Sequence, residues 1–337
     1  SCLLLIITIN NKGVINMNNF KKIGLTALAG VLVSVSANAA ELSVTGGASI
    51  GFTNQEEKDQ GNGWSMNDGI TFSASQELDN GMNVTMKMVI DSSDGGGSAA
   101  QVMDTRIITV DMGDNGTFTF AGDGGSSVLG MIDDTTPTAY EESWDIVDGA
   151  DGRVSCICLN NMMHYSRDNT LLDGLTLSAS YIPSVNQTSI ESSSDYGFKY
   201  SSPMDAGTLT VGGATGETNA AANSIEKTIM YANFASETGF TVGITASEHD
   251  SEASNADKDF QAIGLSYALT PETSVSVNTS TLEFEDSSKS DQEAMGFSVS
   301  HVMGSMTIKG THNAVDNVAG TAANDRSGYD LSLAFAF

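Results

Sequence analysis

Hydrophobic and polar side chains alternate one by one along most of the chain after residue 40. Val, Ile, Thr, Phe and Tyr are frequent in these runs, and apolar positions spaced three or four residues apart, as on a helix, are hard to find. Sixteen such runs can be placed between residues 41 and 337. The pattern therefore predicts an all-β protein.

The connections between these runs alternate between short and long. Tight turns built from Gly, Asp, Asn, Ser and Pro occur at 79–81, 113–116, 203–207, 236–239, 270–272 and 303–304. Long, polar and mostly acidic connections occur at 54–63, 92–100, 216–225, 250–258 and 315–326. Outer-membrane barrels have short periplasmic turns, long external loops and an even number of strands. We therefore expect an antiparallel up-and-down transmembrane β-barrel of 16 strands.

The last run shows the alternation most clearly. Tyr329, Leu331, Leu333, Phe335 and Phe337 alternate with Asp330, Ser332, Ala334 and Ala336. In a barrel the apolar face contacts lipid, and Tyr329 and Phe337 lie near the two membrane interfaces as aromatic girdles. This run favours a barrel over a soluble sandwich.

The N-terminal segment has the pattern of a targeting sequence. Lys21 and Lys22 precede an apolar stretch from Ile23 to Val35, and Ala37–Ala39 forms a small-residue cleavage site. We interpret residues 17–39 as a signal peptide, residues 1–16 as upstream translation outside the native protein, and residues 40–337 as one barrel domain. The chain is therefore expected to be exported.

Charge and composition exclude one class of partner. The chain has 14 basic and 42 acidic residues and a formal net charge of -28. A protein that binds nucleic acid neutralises phosphates with a basic surface. Nucleic acid is therefore not expected as a partner.

Three segments resemble the general diffusion porins of Gram-negative bacteria, and alphaproteobacterial porins in particular. They are the start at 40–46, the hairpin at 109–120 and the terminal Leu333–Phe337. The resemblance implies a homotrimer of 16-stranded barrels in the outer membrane, surrounded by lipid, whose water-filled channels pass small hydrophilic solutes. It also implies that the outer-membrane assembly machinery reads Tyr329, Phe335 and Phe337.

In the resembled family the third external loop folds into the lumen and narrows it. The segment at about 123–156 matches this constriction loop by position, and a connection of that length without strands is typical of a functional loop. It contains many acids: Asp123, Asp133, Asp134, Glu141, Glu142, Asp145, Asp148 and Asp151. On the barrel wall, Lys87 and Arg106 are the expected inward-facing cations. Asp123 stands where the family often has an arginine.

An aqueous constriction lined mainly by carboxylates concentrates cations, because low-dielectric walls focus the field. We therefore expect weak cation selectivity that decreases as salt screens the charges. The alternative, in which these acids only solvate an exposed loop, stays open.

Other motifs carry little chemistry. Cys156 and Cys158 are two residues apart, so a disulfide requires a bend in the chain; a bridge and two unbridged thiols are both open. The four histidines lack metal-binding spacing, and no hydrolase or phosphate-loop motif occurs, so neither a metal site nor an enzyme is expected. Acids at 91–94 and 283–286 offer oxygen ligands for Ca²⁺, but solvated surface charge is the favoured interpretation, so no cofactor is expected.

Two other functions are kept as alternatives. A substrate-specific outer-membrane channel of 18 strands normally requires a longer chain. A soluble or surface-attached β-rich adhesin would also have acidic loops rich in Gly and Ser. Heat-modifiable migration of a detergent-extracted trimer distinguishes the channel from an adhesin, which needs no detergent.

Overall fold

Alternating runs become long antiparallel strands in the computed structural model, which describes residues 40–56, 63–91, 105–150, 152, 161–169, 171–184, 190–220 and 223–337. In this part of the chain the strands are β1 (Glu41–Gln55), β2 (Trp64–Glu77), β3 (Asn83–Asp91), β4 (Thr105–Asp111), β5 (Thr117–Asp123), β6 (Met162–Asp168), β7 (Leu175–Ile182), β8 (Ile190–Met204), β9 (Gly207–Ala220), β10 (Ile225–Ser236), β11 (Phe240–Ser251), β12 (Lys258–Thr270), β13 (Thr273–Phe284), β14 (Gln292–Met303), β15 (Met306–Asp316) and β16 (Arg326–Ala336). A short helix, α1 (Val128–Ile132), follows β5.

Within the described residues, the sixteen strands form one closed barrel in which sequence neighbours pair and β1 pairs with β16. This confirms the expected fold and excludes an open sandwich and an 18-stranded barrel. The seam between the first and last strands continues to the final residue. The amide of Gly46 donates to the Phe337 carbonyl at 2.6 Å, and the amide of Phe337 donates to the Gly46 carbonyl at 2.9 Å.

The two ends of the barrel differ. At one end, here called the short-turn end, tight connections such as 78–82 and 304–305 join the strands. Gly81 and Gly304 have φ of 82° and 61° there, a left-handed conformation that glycine adopts without steric cost. The opposite end, here called the long-loop end, carries the other connections. The sorting of short and long connections predicted from the sequence is thus present.

Each strand presents one face to the outside and the other to the interior. On β11, Val242 and Ile244 are exposed, whereas Thr245 and Ser247, at the alternate positions, are buried. On β16, Leu331 is exposed in the same way and Asp330 faces inward. The apolar outer face matches what lipid requires, because a lipid-facing strand presents apolar residues outward and polar residues to the lumen. None of the helices in the described ranges is long and apolar enough to cross a bilayer.

The buried apolar residues lie mainly where the connection between β5 and β6 packs on the inner wall. The α1 residues Val128, Leu129 and Ile132 pack with Ile229 and Tyr231 of β10. Further along, Trp144 packs with Phe260 and Leu282, and Val147 packs with Val315 and Val318. The core of this protein therefore joins one loop to the inside of its own barrel.

Candidate functional site

The connection after β5 folds into the barrel, as the sequence predicted for the segment at about 123–156. Its described part, residues 124–150 and 152, is called the inner loop below. It packs on β5 and β6 through apolar contacts. From β7 through β16 to β1, hydrogen bonds link the inner loop to wall side chains, and both the loop and the wall supply donors.

A buried carboxylate on the wall holds the first turn of α1. Asp195 of β8 is 2% exposed, and its two oxygens accept the amides of Val128 and Leu129 at 3.2 and 2.9 Å. Ser180 of β7 also accepts the Val128 amide, at 3.1 Å, and lies 3.0 Å from Nδ1 of His164. The first amides of a helix have no partner inside the helix, and their positive dipole end favours a carboxylate. Asp195 supplies both the acceptors and the charge.

The middle of the inner loop lies close to β10, β11 and β12. Asn233 donates to the Thr135 carbonyl at 2.7 Å, and the hydroxyl of Thr136 donates to that of Thr245 at 3.1 Å. Gly264 makes room for the loop backbone, since a Cβ there would lie 2.5 Å from the Pro137 carbonyl oxygen. The period-two pattern predicts that these wall residues face inward, but not that a loop covers them.

Polar wall residues then bind the backbone of residues 139–143. The amide of Ala139 donates to Ser276 at 2.8 Å, and Ser298 donates to the Glu141 carbonyl at 2.9 Å. Asn313 donates to the Glu142 carbonyl at 2.6 Å. These bonds give partners to three backbone groups of the loop and so offset the cost of removing them from water.

The end of the inner loop reaches the seam between β16 and β1. The amide of Asp148 donates to Gln55 of β1 at 2.8 Å, and Arg326 of β16 donates to the Asp148 carbonyl at 3.4 Å. The hydroxyl of Tyr140 donates to Asp330 of β16 at 2.8 Å, and Thr53 of β1 donates to the same carboxylate. The loop therefore contacts both strands that close the barrel.

Tyr140 also lies beside a lysine. The Nζ atom of Lys309 on β15 is 4.9 Å from the centroid of the Tyr140 ring, within the range of a cation–π interaction. Burial, together with the hydrogen bond to Asp330, raises the pKa of Tyr140 well above its ordinary value. The phenol therefore stays protonated and keeps donating to Asp330.

Three of the predicted loop acids form a cluster. The carboxylate oxygens of Glu141, Glu142 and Asp145 lie within 4.8 Å of one another, and Asp145 accepts the amide of Glu142 at 2.8 Å. Glu142 is buried, Glu141 is half-buried and Asp145 is exposed. Burial, with Asp145 and Asp330 nearby, raises the pKa of Glu141. Carboxylate oxygens are the ligands that Ca²⁺ and Mg²⁺ prefer, so a cation could be held here.

The other predicted loop acids lie apart from this cluster. Asp133 is the C-terminal cap of α1 and is buried, and Asp134 is exposed. Asp123 belongs to β5 instead of the loop. Asp148 is exposed at the end of the inner loop. Asp151 and the pair Cys156 and Cys158 lie outside the described residues, so the proposed disulfide stays a prediction.

Lys87 faces the interior. It pairs with Ile107 of β4, which packs on the core around α1, and with Ser73 of β2. Thr85 of β3 and Thr109 of β4, which face inward beside Lys87, carry hydroxyl groups. Because β3 and β11 are eight strands apart in a ring of sixteen, Lys87 lies across the lumen from the loop residues that contact β11.

Arg106 does not lie with Lys87. It pairs with Met88 of β3 and neighbours Ile107, so the strand alternation places it on the outer face, beside the exposed Ile108. A register shift lets Asp123 pair with Arg106, with Nη2 and Oδ2 3.7 Å apart. The expectation of an inward Arg106 is therefore wrong, because a strand alternates its faces and Ile107 takes the inner one.

The terminal aromatic residues lie on the outer face as predicted. Tyr329, Phe335 and Phe337 are 38%, 40% and 76% exposed. Phe337 also contacts the seam, since a Cβ at Gly46 would lie 2.6 Å from its ring. A role of these residues in assembly stays a prediction.

Four charged wall residues that contact the inner loop were not among the predicted site residues: Asp195, Lys309, Arg326 and Asp330. Each is an inward position on a strand that the sequence did predict, and an isolated charge at an inward position was the available signal. Their function depends on the path of the loop, which strand alternation alone does not specify.

Comparison with known proteins points in one direction. The profile of the Gram-negative porin family matches residues 24–336. A variant porin from Rhodobacter blastica superposes with a TM-score of 0.64 and 14% identity, over 88% of this chain and 100% of that chain. A porin from Comamonas acidovorans, described as anion-selective, gives a TM-score of 0.65 and 12% identity over the same shares. No curated protein sequence matches the chain.

Proposed function

This chain belongs to the Gram-negative porins, which are outer-membrane channels, and we propose that small hydrophilic solutes and ions diffuse passively through its water-filled lumen. Porins are channels and not enzymes. The proposed activity needs no cofactor.

The observation that carries this proposal is that the inner loop covers one part of the inner wall and leaves another part uncovered. The inner loop packs against β5–β16 and β1, with Ile107 of β4 at the edge of its first cluster. Across the lumen, Lys87 of β3 is exposed although it faces inward. An inward side chain can be exposed only where water reaches the interior. The lumen beside β2–β4 is therefore the proposed path.

The proposed channel weakly prefers cations. On the loop side, Asp134 and Asp145 are exposed carboxylates, and Glu141 is half-buried. The opposite wall contributes Lys87 among hydroxyl groups. A confined, low-dielectric passage strengthens the effect of such an excess. Salt screens it, because the Debye length falls to about 3 Å at 1 M.

We also propose that the protein acts as a homotrimer in lipid and that the assembly machinery reads the strand ending in Phe337. The outer face supports a membrane location, since it exposes Leu331 and Phe335 on β16. The ring of Phe337 is well exposed beside the seam and is accessible to another protein before the barrel closes.

The direct test is conductance of the refolded protein in planar bilayers. We expect stepwise currents, swelling of liposomes in small sugars, and a reversal potential under a KCl gradient with the sign of cation preference. Heat-modifiable migration in detergent gels checks folding and trimer formation. Folded barrels that conduct no ions would contradict the channel, and a reversal potential of the opposite sign would contradict the selectivity alone.

A further inference from the structure

Three basic side chains occupy consecutive positions around the inner wall near the long-loop end. Lys227 of β10 pairs directly with His249 of β11, and His249 pairs with Lys258 of β12. Directly paired residues on neighbouring antiparallel strands have Cβ atoms about 4.5–5.5 Å apart. We call these three residues the basic row.

The basic row faces inward on all three strands. Two residues further along each strand lie Ile229, Ser247 and Phe260, which are 0%, 4% and 2% exposed. Ile229 packs with α1 and Phe260 packs with Trp144, so this face is the one that the inner loop covers. Residues two apart on a strand share a face, and the basic row therefore faces the interior, two residues beyond the positions that the inner loop covers.

Within the strands, the acids that adjoin the basic row in sequence lie on the other face. Glu226, Glu248 and Asp259 are exposed and pair across strands with other outer acids, as Asp259 does with Glu283. Asp257, which precedes Lys258, lies in the loop between β11 and β12 and accepts the amide of Ser251 at 2.7 Å. In the sequence each basic residue adjoins an acid, so the local net charge is near zero or negative. Strand alternation therefore places the basic residues of these strands on the inner face and the acids next to them on the outer face.

An aromatic residue and a fourth cation extend the basic row. Lys258 pairs with Phe284 of β13, which packs on the cluster around Trp144. The Nζ atoms of Lys258 and Lys289 lie 5.9 and 4.4 Å from the centroid of the Phe284 ring. The ring attracts both ammonium groups and holds them at the edge of the lumen.

The basic row lies between the constriction and the long-loop end. Along their strands, His249 and Lys258 lie two residues, about 7 Å, from Ser247 and Phe260, in the direction of the long-loop end. A solute that enters from the long-loop end therefore reaches these cations before it reaches the acids of the inner loop.

We infer that the basic row is a binding station for small multivalent anions, such as inorganic phosphate, on the long-loop side of the constriction. Lysine ammonium groups bind phosphate oxygens as point charges, and low-dielectric walls strengthen their field. The inference rests on the proposed channel. It adds that anions accumulate on one side of the constriction, although the whole chain has a net charge of -28.

The test uses the double variant K227Q/K258Q in planar bilayers, with inorganic phosphate added from each side in turn. For the unsubstituted protein we expect phosphate to reduce the KCl current more strongly from the long-loop side. In K227Q/K258Q the phosphate concentration for half-maximal effect should rise about tenfold, and the reversal potential should shift further toward cation preference. K227R/K258R keeps both charges and should retain the phosphate effect.

The matched control is E226Q/D259N, which changes two charges at the same height on the outer face. It should leave the phosphate effect unchanged, and heat-modifiable migration confirms that each variant is folded. Equal phosphate effects in K227Q/K258Q and the unsubstituted protein would overturn the inference while the channel proposal stands. An unsubstituted protein that folds without conducting would overturn the channel proposal instead.

Discussion

Trp144 of the inner loop and Phe260 of β12 pack edge to face, with ring centroids 4.8 Å apart and ring planes at 84°. Trp144 is 4% exposed and Phe260 is 2% exposed. Such aromatic pairs contribute about 0.5–1.5 kcal/mol beyond the burial of their area. The loop that narrows the lumen is thus held by an apolar core of the kind found in soluble proteins, although the barrel around it faces lipid.

Replacing Trp144 by Ala should loosen the inner loop. The lost packing and the cavity cost about 3–5 kcal/mol by analogy with other buried aromatic residues. We expect a lower temperature of heat-modifiable migration and more open-channel current noise. W64A is the matched control, because Trp64 is 63% exposed on β2. If W64A and W144A behave alike, the Trp144 core does not hold the loop.

Replacing Asp195 by Asn should release the first turn of α1. The amide group of Asn accepts at one atom only and turns a donor toward the helix amides, which leaves a buried group without a partner at a cost of about 1–3 kcal/mol. Hydrogen exchange at Val128 and Leu129 should become faster, while exchange in β8 stays slow. D205N, at an exposed turn, serves as the comparison, and unchanged exchange in D195N would exclude the role assigned to the carboxylate.

Lys87 and Arg106 provide a test of strand sidedness. K87Q removes an inward cation and should shift the reversal potential toward stronger cation preference. R106Q removes the same charge from the outer face, one strand away, and should leave the reversal potential nearly unchanged. A larger shift in R106Q than in K87Q would reverse the assignment of faces on β3 and β4.

The pH dependence of selectivity should report on Glu141. Burial and Asp145 raise the pKa of Glu141, so this carboxyl takes up a proton above the ordinary range of about 4.3 for Glu. Cation preference should begin to decrease at that higher pH as the solution is acidified. In E141Q this early step should be absent, whereas E283Q, on the outer face, should keep it.

The same shift has a consequence for stability. A carboxyl whose pKa is higher in the folded state stabilises the fold when protonated, and this contribution is lost as pH rises through the folded-state pKa. At neutral pH the charged Glu141 is therefore unfavourable, and E141Q should unfold at a slightly higher temperature than the unsubstituted protein. The difference should disappear below the ordinary pKa of Glu, and a stabilisation that persists there would contradict this explanation.

The sequence alone determined the barrel. Alternation along Tyr329–Phe337, the sorting of turn lengths and the even number of runs are local properties, because a strand reverses faces at every residue whatever surrounds it. The family resemblance implied that an acidic loop enters the lumen, and strand alternation predicted that Lys87 faces inward. The prediction that Arg106 faces inward was wrong, because the inward residue of β4 is its neighbour Ile107.

Only the tertiary structure decided which side chains share the lumen. Asp195 and Asp330 contact the inner loop because that loop folds across the inside of the barrel. The residues in these contacts are 66 and 190 positions apart in the chain, so the contacts leave no periodic signal in the sequence. Strand pairing likewise collected Lys227, His249 and Lys258 inside while their acidic neighbours went outside. The charge that lines the passage depends on which side chains face inward when the ring of strands closes. It therefore cannot be calculated from the net charge of the chain.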